Sequence, residues 1–322
     1  MRFRVKLILL GCVAGLNASP AVAQPDCPHG ALDTRYCDRD GDMVADAPTD
    51  AKQFIDPDTL IFSYTPIEDP AVYASVWENF ITRLEILTGK KVKFFQVQSN
   101  AAQFEALRSG RLHVTSTNTG GVPVAVNCTG FVPFAMMSSP DTPYASHTEI
   151  IVPNQSEIHA VQDLRGRTIA FTSPTSNSGY KTPIYLLEKD FGLKVDVDYK
   201  STFSGKHDNS ILGVVNGDYE AAAVADVVLA PMAARKVFDP AQIRSIYRSG
   251  SFPTTGYGYA HNLAPALVAK IRQAFLTYQI AADANLSPEF PAQTKFIPIS
   301  YKQDWQVVRQ VDAATGVKYD CK

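Results

Sequence analysis

Three features are missing from this 322-residue sequence, and each absence narrows what it can be. No run approaches about 18 uninterrupted apolar residues, so no segment reads as a membrane-spanning helix. No block of basic residues occurs: 30 Lys and Arg stand against 32 Asp and Glu for a formal charge of −2, which leaves nucleic acid no electrostatic footprint to grip. No serine sits in a Gly-x-Ser-x-Gly turn, so a hydrolytic nucleophile has no ready-made elbow. Cysteine is scarce as well, and the positions of the five matter more than their number.

The first, Cys12, falls in a leader. Three basic residues (Arg2, Arg4, Lys6), an apolar run Leu7–Leu16 and Ala21-Val22-Ala23 before Gln24 have the layout of a cleavable secretory signal over residues 1–23. Leu9-Leu10-Gly11-Cys12 offers a rival, lipoprotein-type cut, but the four apolar residues before Gly11 are a short hydrophobic region, so cleavage after Ala23 is expected. The mature chain is then exported, with 299 residues and a formal charge of −5, and it can hold one large domain or two of ordinary size. In an oxidising compartment Cys27 and Cys37 are the natural pair. Cys128 is open three ways: paired with Cys321, buried as a small apolar residue, or a free thiol with a purpose.

Residues 24–58 are rich in Asp, Pro and Cys and lack apolar periodicity, which predicts an irregular extension. Within it Asp38, Asp40, Asp42 and Asp46 surround Gly41. Alternating carboxylates at a glycine turn can wrap a calcium ion, although the glycine comes one residue early for an EF-hand and no Glu closes the loop. The alternatives are a structural calcium site and a solvated acidic loop, and no other cofactor is required.

From Thr59 the pattern alternates strand and helix. Leu60–Tyr64, Val92–Val97 and Leu112–Thr117 read as strands; a helix carries Val72, Val76, Phe80, Leu84 and Leu87 to a stop at Gly89, and another covers Ala101–Ser109. Phe131–Met137 and Thr148–Val152 are further strands. The logic then repeats: strand Thr168–Phe171, a helix from Pro183 to Gly192, strand Val195–Tyr199, helix Asp208–Val215 and strand Ala221–Val224. Arg244–Tyr247 and Gly256–Ala260 return the chain, and Pro265–Gln279 and Gln303–Thr315 read as closing helices, with Trp77 and Trp305 at core or rim positions and His113 and His261 structural. This predicts an α/β protein of two lobes, residues 59–147 with 250–322 and residues 148–249, whose strand ends face each other across a ligand cleft.

The stretch Phe171–Pro183 carries the clearest chemistry. A strand end, a hydroxyl-rich turn (Thr175, Ser176, Asn177, Ser178, Gly179) and a helix start with proline make a seat for an oxyanion, because a helix N-terminus presents unpaired N–H groups and partial positive charge. The same residue types serve equally as an ordinary helix cap. Thr117-Asn118-Thr119-Gly120 is a second such turn.

Ser176-Asn177-Ser178-Gly179-Tyr180 with Pro183, the segment Phe203 to Ile211 containing Gly205-Lys206-His207-Asp208, and Asn216 to Asp226 together resemble the periplasmic solute-binding proteins for phosphonate-, phosphite- and phosphate-type anions that serve ABC importers. The resemblance spans about residues 59–315 and implies a type II-like periplasmic-binding-protein fold, hinge closure, a small oxyanion ligand, a membrane permease as partner, no enzymatic activity and a monomeric state. Carried over by position, it makes Ser176, Asn177 and Ser178 the anion-binding turn, His207 a further donor and Asp226 an acceptor for a ligand proton. Asn177 stands where the family has Thr, and Thr117, Asn118 and Thr119 replace its usual Gly-Pro and aromatic; Tyr64 is the candidate aromatic from the first lobe. Around Asn118 and Cys128 the chain also resembles arsenite-sensing relatives. That alternative makes Cys128 a thiolate ligand and the partner a membrane histidine kinase. A remote third reading is a secreted hydrolase using Ser176 or Ser178 with His207.

Overall fold

The computed structural model describes residues 27–139, 143–319 and 321; the leader and its expected cleavage site lie outside the described residues. Among these residues no helix is long and apolar enough to cross a membrane. The chain runs β1 (Thr59–Ser63), α1 (Pro70–Val76), α2 (Glu78–Thr88), β2 (Lys91–Phe94), α3 (Asn100–Arg108), β3 (Val114–Thr117), α4 (Val122–Thr129) and β4 (Phe131–Ser138). It crosses through β5 (Ala145–Ser146) to β6 (Thr148–Pro153), β7 (Thr168–Phe171), α5 (Thr182–Phe191), β8 (Lys200–Phe203), α6 (His207–Val215), β9 (Ala221–Ala225), α7 (Asp226–Ala234) and β10 (Ile243–Arg248). It returns through β11 (Phe252–Pro253) to β12 (Gly256–Ala260), α8 (Pro265–Leu276), α9 (Leu286–Glu289), β13 (Lys295–Pro298), α10 (Tyr301–Asp304) and α11 (Gln306–Ala314).

Two sheets result, in the orders β13-β4-β12-β3-β1-β2 and β10-β6-β9-β7-β8. β1 pairs in parallel with β2 and β3, and β7 with β8 and β9, as helical crossovers require. Strands covered on both faces lose the apolar–polar alternation: every residue of β3 and of β9 is buried. The sheets are joined by two crossings that pair with each other, β5 against β11, with Ser146 opposite Phe252 and Ala145 opposite Pro253. A short antiparallel ribbon between two lobes has the form of a hinge.

Three local expectations change. The helix from Val72 to Leu87 breaks at Trp77 (φ −93°, ψ 0°), whose fully buried indole packs against Phe62, Tyr64 and Phe80. Val195–Tyr199 is a turn closed by one bridge between its ends, because Asp196 is left-handed (φ 58°) and cannot continue a strand; the edge strand is β8. The closing helix breaks at Trp305, where the indole Nε1 donates to Thr119 O at 2.9 Å.

Residues 27–58 pack on the first lobe and carry the Cys27–Cys37 disulfide. Leu32, Tyr36, Val44 and Ala45 join the core that contains Leu107, Val126 and Trp305. Polar groups of the extension cap α4: Asp33 N donates to Asn127 O (2.7 Å) and Arg35 Nη2 to Cys128 O (3.1 Å), meeting carbonyls that a helix end leaves unpaired.

Candidate functional site

Between the two sheets lies a cavity of about 40 Å³, room for one small ion. Ser176, Asn177, Ser178, His207, Ala225, Val227 and Val228 line it from the second lobe, Ile67, Asn118 and Thr119 from the first, and Ser146, Thr254 and Thr255 from the hinge. The polar wall is built from helix starts: Asn118 and Thr119 precede α4, Ser176 precedes a π-helical turn over Asn177–Lys181, His207 opens α6 and Ala225 precedes α7. A helix start carries partial positive charge and spare N–H groups, although here His207 N, Asp226 N and Gly179 N are already bonded to Ile67 O, His147 O and Ser176 Oγ; among the described residues no Lys or Arg lines the cavity.

The central turn follows from its residues. Ser176 is extended, its Oγ accepts from Gly179 N at 3.0 Å, and Lys181 N closes the wide turn on Ser176 O at 3.0 Å. Pro183 then enters α5 in its first turn, where no backbone donor is needed. At position 179 only glycine fits, because a Cβ would lie 2.2 Å from Thr172 Oγ1.

Asn177 is 3% exposed, and neither Oδ1 nor Nδ2 has a hydrogen-bond partner. Burying an unpaired amide costs on the order of 1–3 kcal/mol. A ligand that accepts from Nδ2 and donates to Oδ1 would remove that cost. His207 is equally buried, and burial holds its pKa down at about 4, so the ring is neutral. Its Nδ1 accepts from Ala225 N at 3.0 Å, which puts the single ring proton on Nε2, 3.5 Å from Ser176 Oγ. The ring is therefore a donor at the cavity wall. It cannot act as base toward Ser176, which would require a bare Nε2, and the hydrolase reading fails on this point.

Other expected residues lie elsewhere. Tyr64 is in the aromatic core against Tyr73 and Trp77, off the cavity wall. Thr117 is fully buried in β3 and also off the wall. Thr119 lines the cavity, but its hydroxyl is committed to the hinge carbonyls of Pro253 (2.8 Å) and Thr254 (3.1 Å). Asp226 does not line the cavity: its carboxylate is held by Arg248 Nη2 at 2.7 Å, His147 Nδ1 at 2.9 Å and His147 N at 2.8 Å, so it is not available to a ligand proton. The thiolate role of Cys128 is corrected, since Cys128 is disulfide-bonded to Cys321 at the far end of α4 from Asn118. In the acidic loop, oxygens of Asp38, Asp40 and Asp42 lie within 4.8 Å of one another, whereas Asp46 is turned to Arg39 (3.0 Å).

The lobes are closed on each other. Asn100 Nδ2 donates to Thr175 Oγ1 (2.7 Å), His207 N to Ile67 O (3.2 Å), and Arg235 pairs with Glu68 and Glu289. Lys181 Nζ reaches Asp312 Oδ1 (2.8 Å) and Gly120 O (2.9 Å). A Cβ at Gly120 would lie 2.4 Å from Thr175 O and 2.8 Å from Asn177 N, so this glycine permits backbone-to-backbone contact between lobes. An outer hollow of about 610 Å³ shares Ile67, Asn118, Ser176 and His207 with the inner cavity, and these four residues stand between the two spaces. Sequence reasoning missed Gly120, Lys181 and the hinge wall Ser146, Thr254 and Thr255. Of these, only the Gly120-Gly121 pair carried a local signal, that of close backbone approach.

Comparison with known proteins fits this architecture. Residues 62–305 match the family model for the periplasmic substrate-binding protein of phosphonate ABC transporters. The phosphate-import protein PhnD of Mycolicibacterium smegmatis is 24% identical over 281 residues, covering 82% of this chain and 85% of the relative. A binding-protein component of an ABC phosphonate transporter from Pseudomonas aeruginosa superposes with a TM-score of 0.71 at 20% identity, over 80% of this chain and 86% of that one. PhnD1 of Prochlorococcus marinus, solved in complex with methylphosphonate, gives 0.71 at 16% identity over 81% and 100%. The chain belongs to the family of periplasmic substrate-binding proteins of phosphonate ABC transporters.

Proposed function

We propose that this chain binds a small tetrahedral phosphorus oxyanion in a partly protonated form, such as phosphate, phosphite or methylphosphonate, and presents it to the permease as a closed monomer. The observation that carries this reading is the Asn177 amide, buried on the cavity wall with both polar atoms unpartnered. Nδ2 would donate to one ligand oxygen, as would His207 Nε2 and the Ser176 and Ser178 hydroxyls, while Oδ1 accepts a proton that the ligand itself carries. Sulfate has no such proton near neutrality. A cavity of about 40 Å³ also favours ligands with no substituent or a one-carbon one. One named relative is a phosphate-import protein and another was solved in complex with methylphosphonate, which agrees with this size.

The test is isothermal titration of the mature protein with phosphate, phosphite, methylphosphonate, sulfate and arsenite. Binding of a phosphorus oxyanion, weakened at least about tenfold by Asn177→Leu, is expected, since losing a charged hydrogen bond costs on the order of 1.5–3 kcal/mol. Equal binding of sulfate would overturn the proton argument. The arsenite-sensor reading requires reduced Cys128 and has no support from a cysteine tied to Cys321.

Two peripheral readings belong with this proposal. Residues 1–23 are removed on export, for which the layout of basic, apolar and small residues is the support. Asp38, Asp40 and Asp42 hold a structural calcium ion, for which the convergence of their carboxylates and the unpartnered Asp38 Oδ1 are the support.

A further inference from the structure

We propose that Lys181 and Asp312 are the positioning pair that couples the anion seat to lobe closure, and that the Cys128–Cys321 disulfide holds the Asp312 side of that pair in place. The idea rests on the oxyanion reading above.

Lys181 is the last residue of the π-helical turn that begins at Asn177, so its ammonium is anchored to the seat in the second lobe. Asp312 lies on α11, which belongs to the first lobe by its packing: Val308 and the neighbouring Trp305 share a core with Val122 and Val126. The two charges meet at 2.8 Å with both side chains 2% exposed, and Lys181 also donates to Gly120 O beside the cavity residue Thr119. Asp312 Oδ2 accepts from Tyr319 OH at 2.7 Å. Two residues on, Cys321 is stapled to α4 through Cys128, and Arg108 Nη1 donates to its carbonyl at 2.9 Å. A line of direct contacts therefore runs from a first-lobe disulfide through Tyr319 and Asp312 to the ammonium that ends the seat.

Neither charge lines the cavity, so neither touches the ligand. Their effect comes from burial. A desolvated pair is favourable only while both partners face each other, and separating them leaves each charge to be rehydrated or stranded. Burial lowers the Lys181 pKa and the Asp312 charge opposes that fall, which agrees with an ammonium that depends on its partner. The ion pairs of Arg235 with Glu68 and Glu289 also cross the cleft, but Arg235 is 30% exposed, so water already shares its charge and salt screens it. Of the two bridges, the Lys181 one switches more sharply with closure.

The test uses the full mature protein with Lys181→Met, Asp312→Leu, the double variant, Cys321→Ser and Tyr319→Phe. Three readouts are taken: affinity for phosphate and methylphosphonate, melting temperature without ligand, and radius of gyration by small-angle scattering with and without ligand. Each single charge removal should raise Kd at least about tenfold, with the double variant recovering most of the loss because apolar partners replace a buried pair well. Cys321→Ser and Tyr319→Phe should shift Kd in the same direction by a smaller factor, and the ligand-free single variants should scatter as more open molecules. Unchanged Kd with a lowered ligand-free melting temperature would make the pair merely structural and overturn the proposal. If the single charge variants fail to fold, Tyr319→Phe decides by the same criterion. Should wild type bind neither anion, the oxyanion reading falls and scattering alone judges the latch: variants no more open than wild type overturn it. Should wild type bind and all variants bind equally, only the coupling falls.

Discussion

His207 can be split into its two jobs by two near-isosteric substitutions. Its Nδ1 accepts from Ala225 N at 3.0 Å and its Nε2–H faces the cavity beside Ser176. Asparagine places an amide oxygen near the Nδ1 position but has no donor that reaches the cavity; glutamine places a donor near Nε2 but leaves the Ala225 N–H unpaired. His207→Asn should therefore keep the fold and lose affinity. A donor to an anionic oxygen is worth about 1.5–3 kcal/mol, or roughly 10–150-fold in Kd. His207→Gln should keep most of the affinity and lose stability, since a stranded backbone donor costs about 1–3 kcal/mol, or roughly 2–8 °C in Tm for a protein of this size. Calorimetric titration with phosphate and thermal unfolding of the ligand-free protein read the two quantities separately. Nitrogen-15 NMR of the wild-type ring should show the Nε2–H tautomer, neutral throughout pH 5–8, because burial holds the pKa at about 4. A proton found on Nδ1, or the same loss of affinity from both variants, would refute the argument.

Gly120→Ala should fold with an unchanged ligand-free Tm yet bind at least about tenfold more weakly, because its Cβ would strike only the backbone of the opposite lobe; an unaltered Kd would count against closure at this contact. Acid should destabilise the protein between pH 6.5 and 4. His207 and His261 are both held near 4 by burial, so the unfolded chain takes up their protons first and the stability present above 6.5 is lost as pH falls. Glu68, raised to about 7, acts with the opposite sign between 7 and 4.5, which leaves a net loss on the order of 3 kcal/mol; a flat denaturation midpoint across that window would contradict the assignment. Chelation should lower Tm by a few degrees if calcium sits among Asp38, Asp40 and Asp42, and no shift would assign them to a solvated loop.

Local chemistry made part of this site legible. Ser176, Asn177, Ser178 and His207 stand at helix starts, and helix starts announce themselves through short polar residues, glycine and proline within a few positions. The alternation of strands and glycine-stopped helices was legible for the same reason. What failed were readings that depend on distant partners. Asp226 looks like a free carboxylate until Arg248 and His147 are brought against it by the pairing of β10 with β6 and β6 with β9. Tyr64 at a strand end has the same sequence signature whether it faces a cleft or a core, and only the packing of Tyr73 and Trp77 decides. Cys128 could not be assigned before its distance from Cys321 was known.

The same limitation explains why the closure machinery was invisible while the seat was not. Among the described residues only neutral dipoles line the cavity, so the attraction that one lobe alone can offer an anion is limited by competition from water. Closing removes that water and brings Asn118 to the seat, so each neutral donor acts in a medium where it is worth more. Affinity is then inseparable from the free energy of closure: a ligand bound equally well by open and closed forms would shift nothing, and a form that never opened would exclude the ligand it must admit. Gly120 against Asn177 N, and Lys181 on Gly120 O, place the first lobe's backbone directly on the turn that holds the anion. A neutral seat also lets go when the lobes part, as delivery to a permease demands. A lysine or arginine in the cavity would hold the anion in the open form as well.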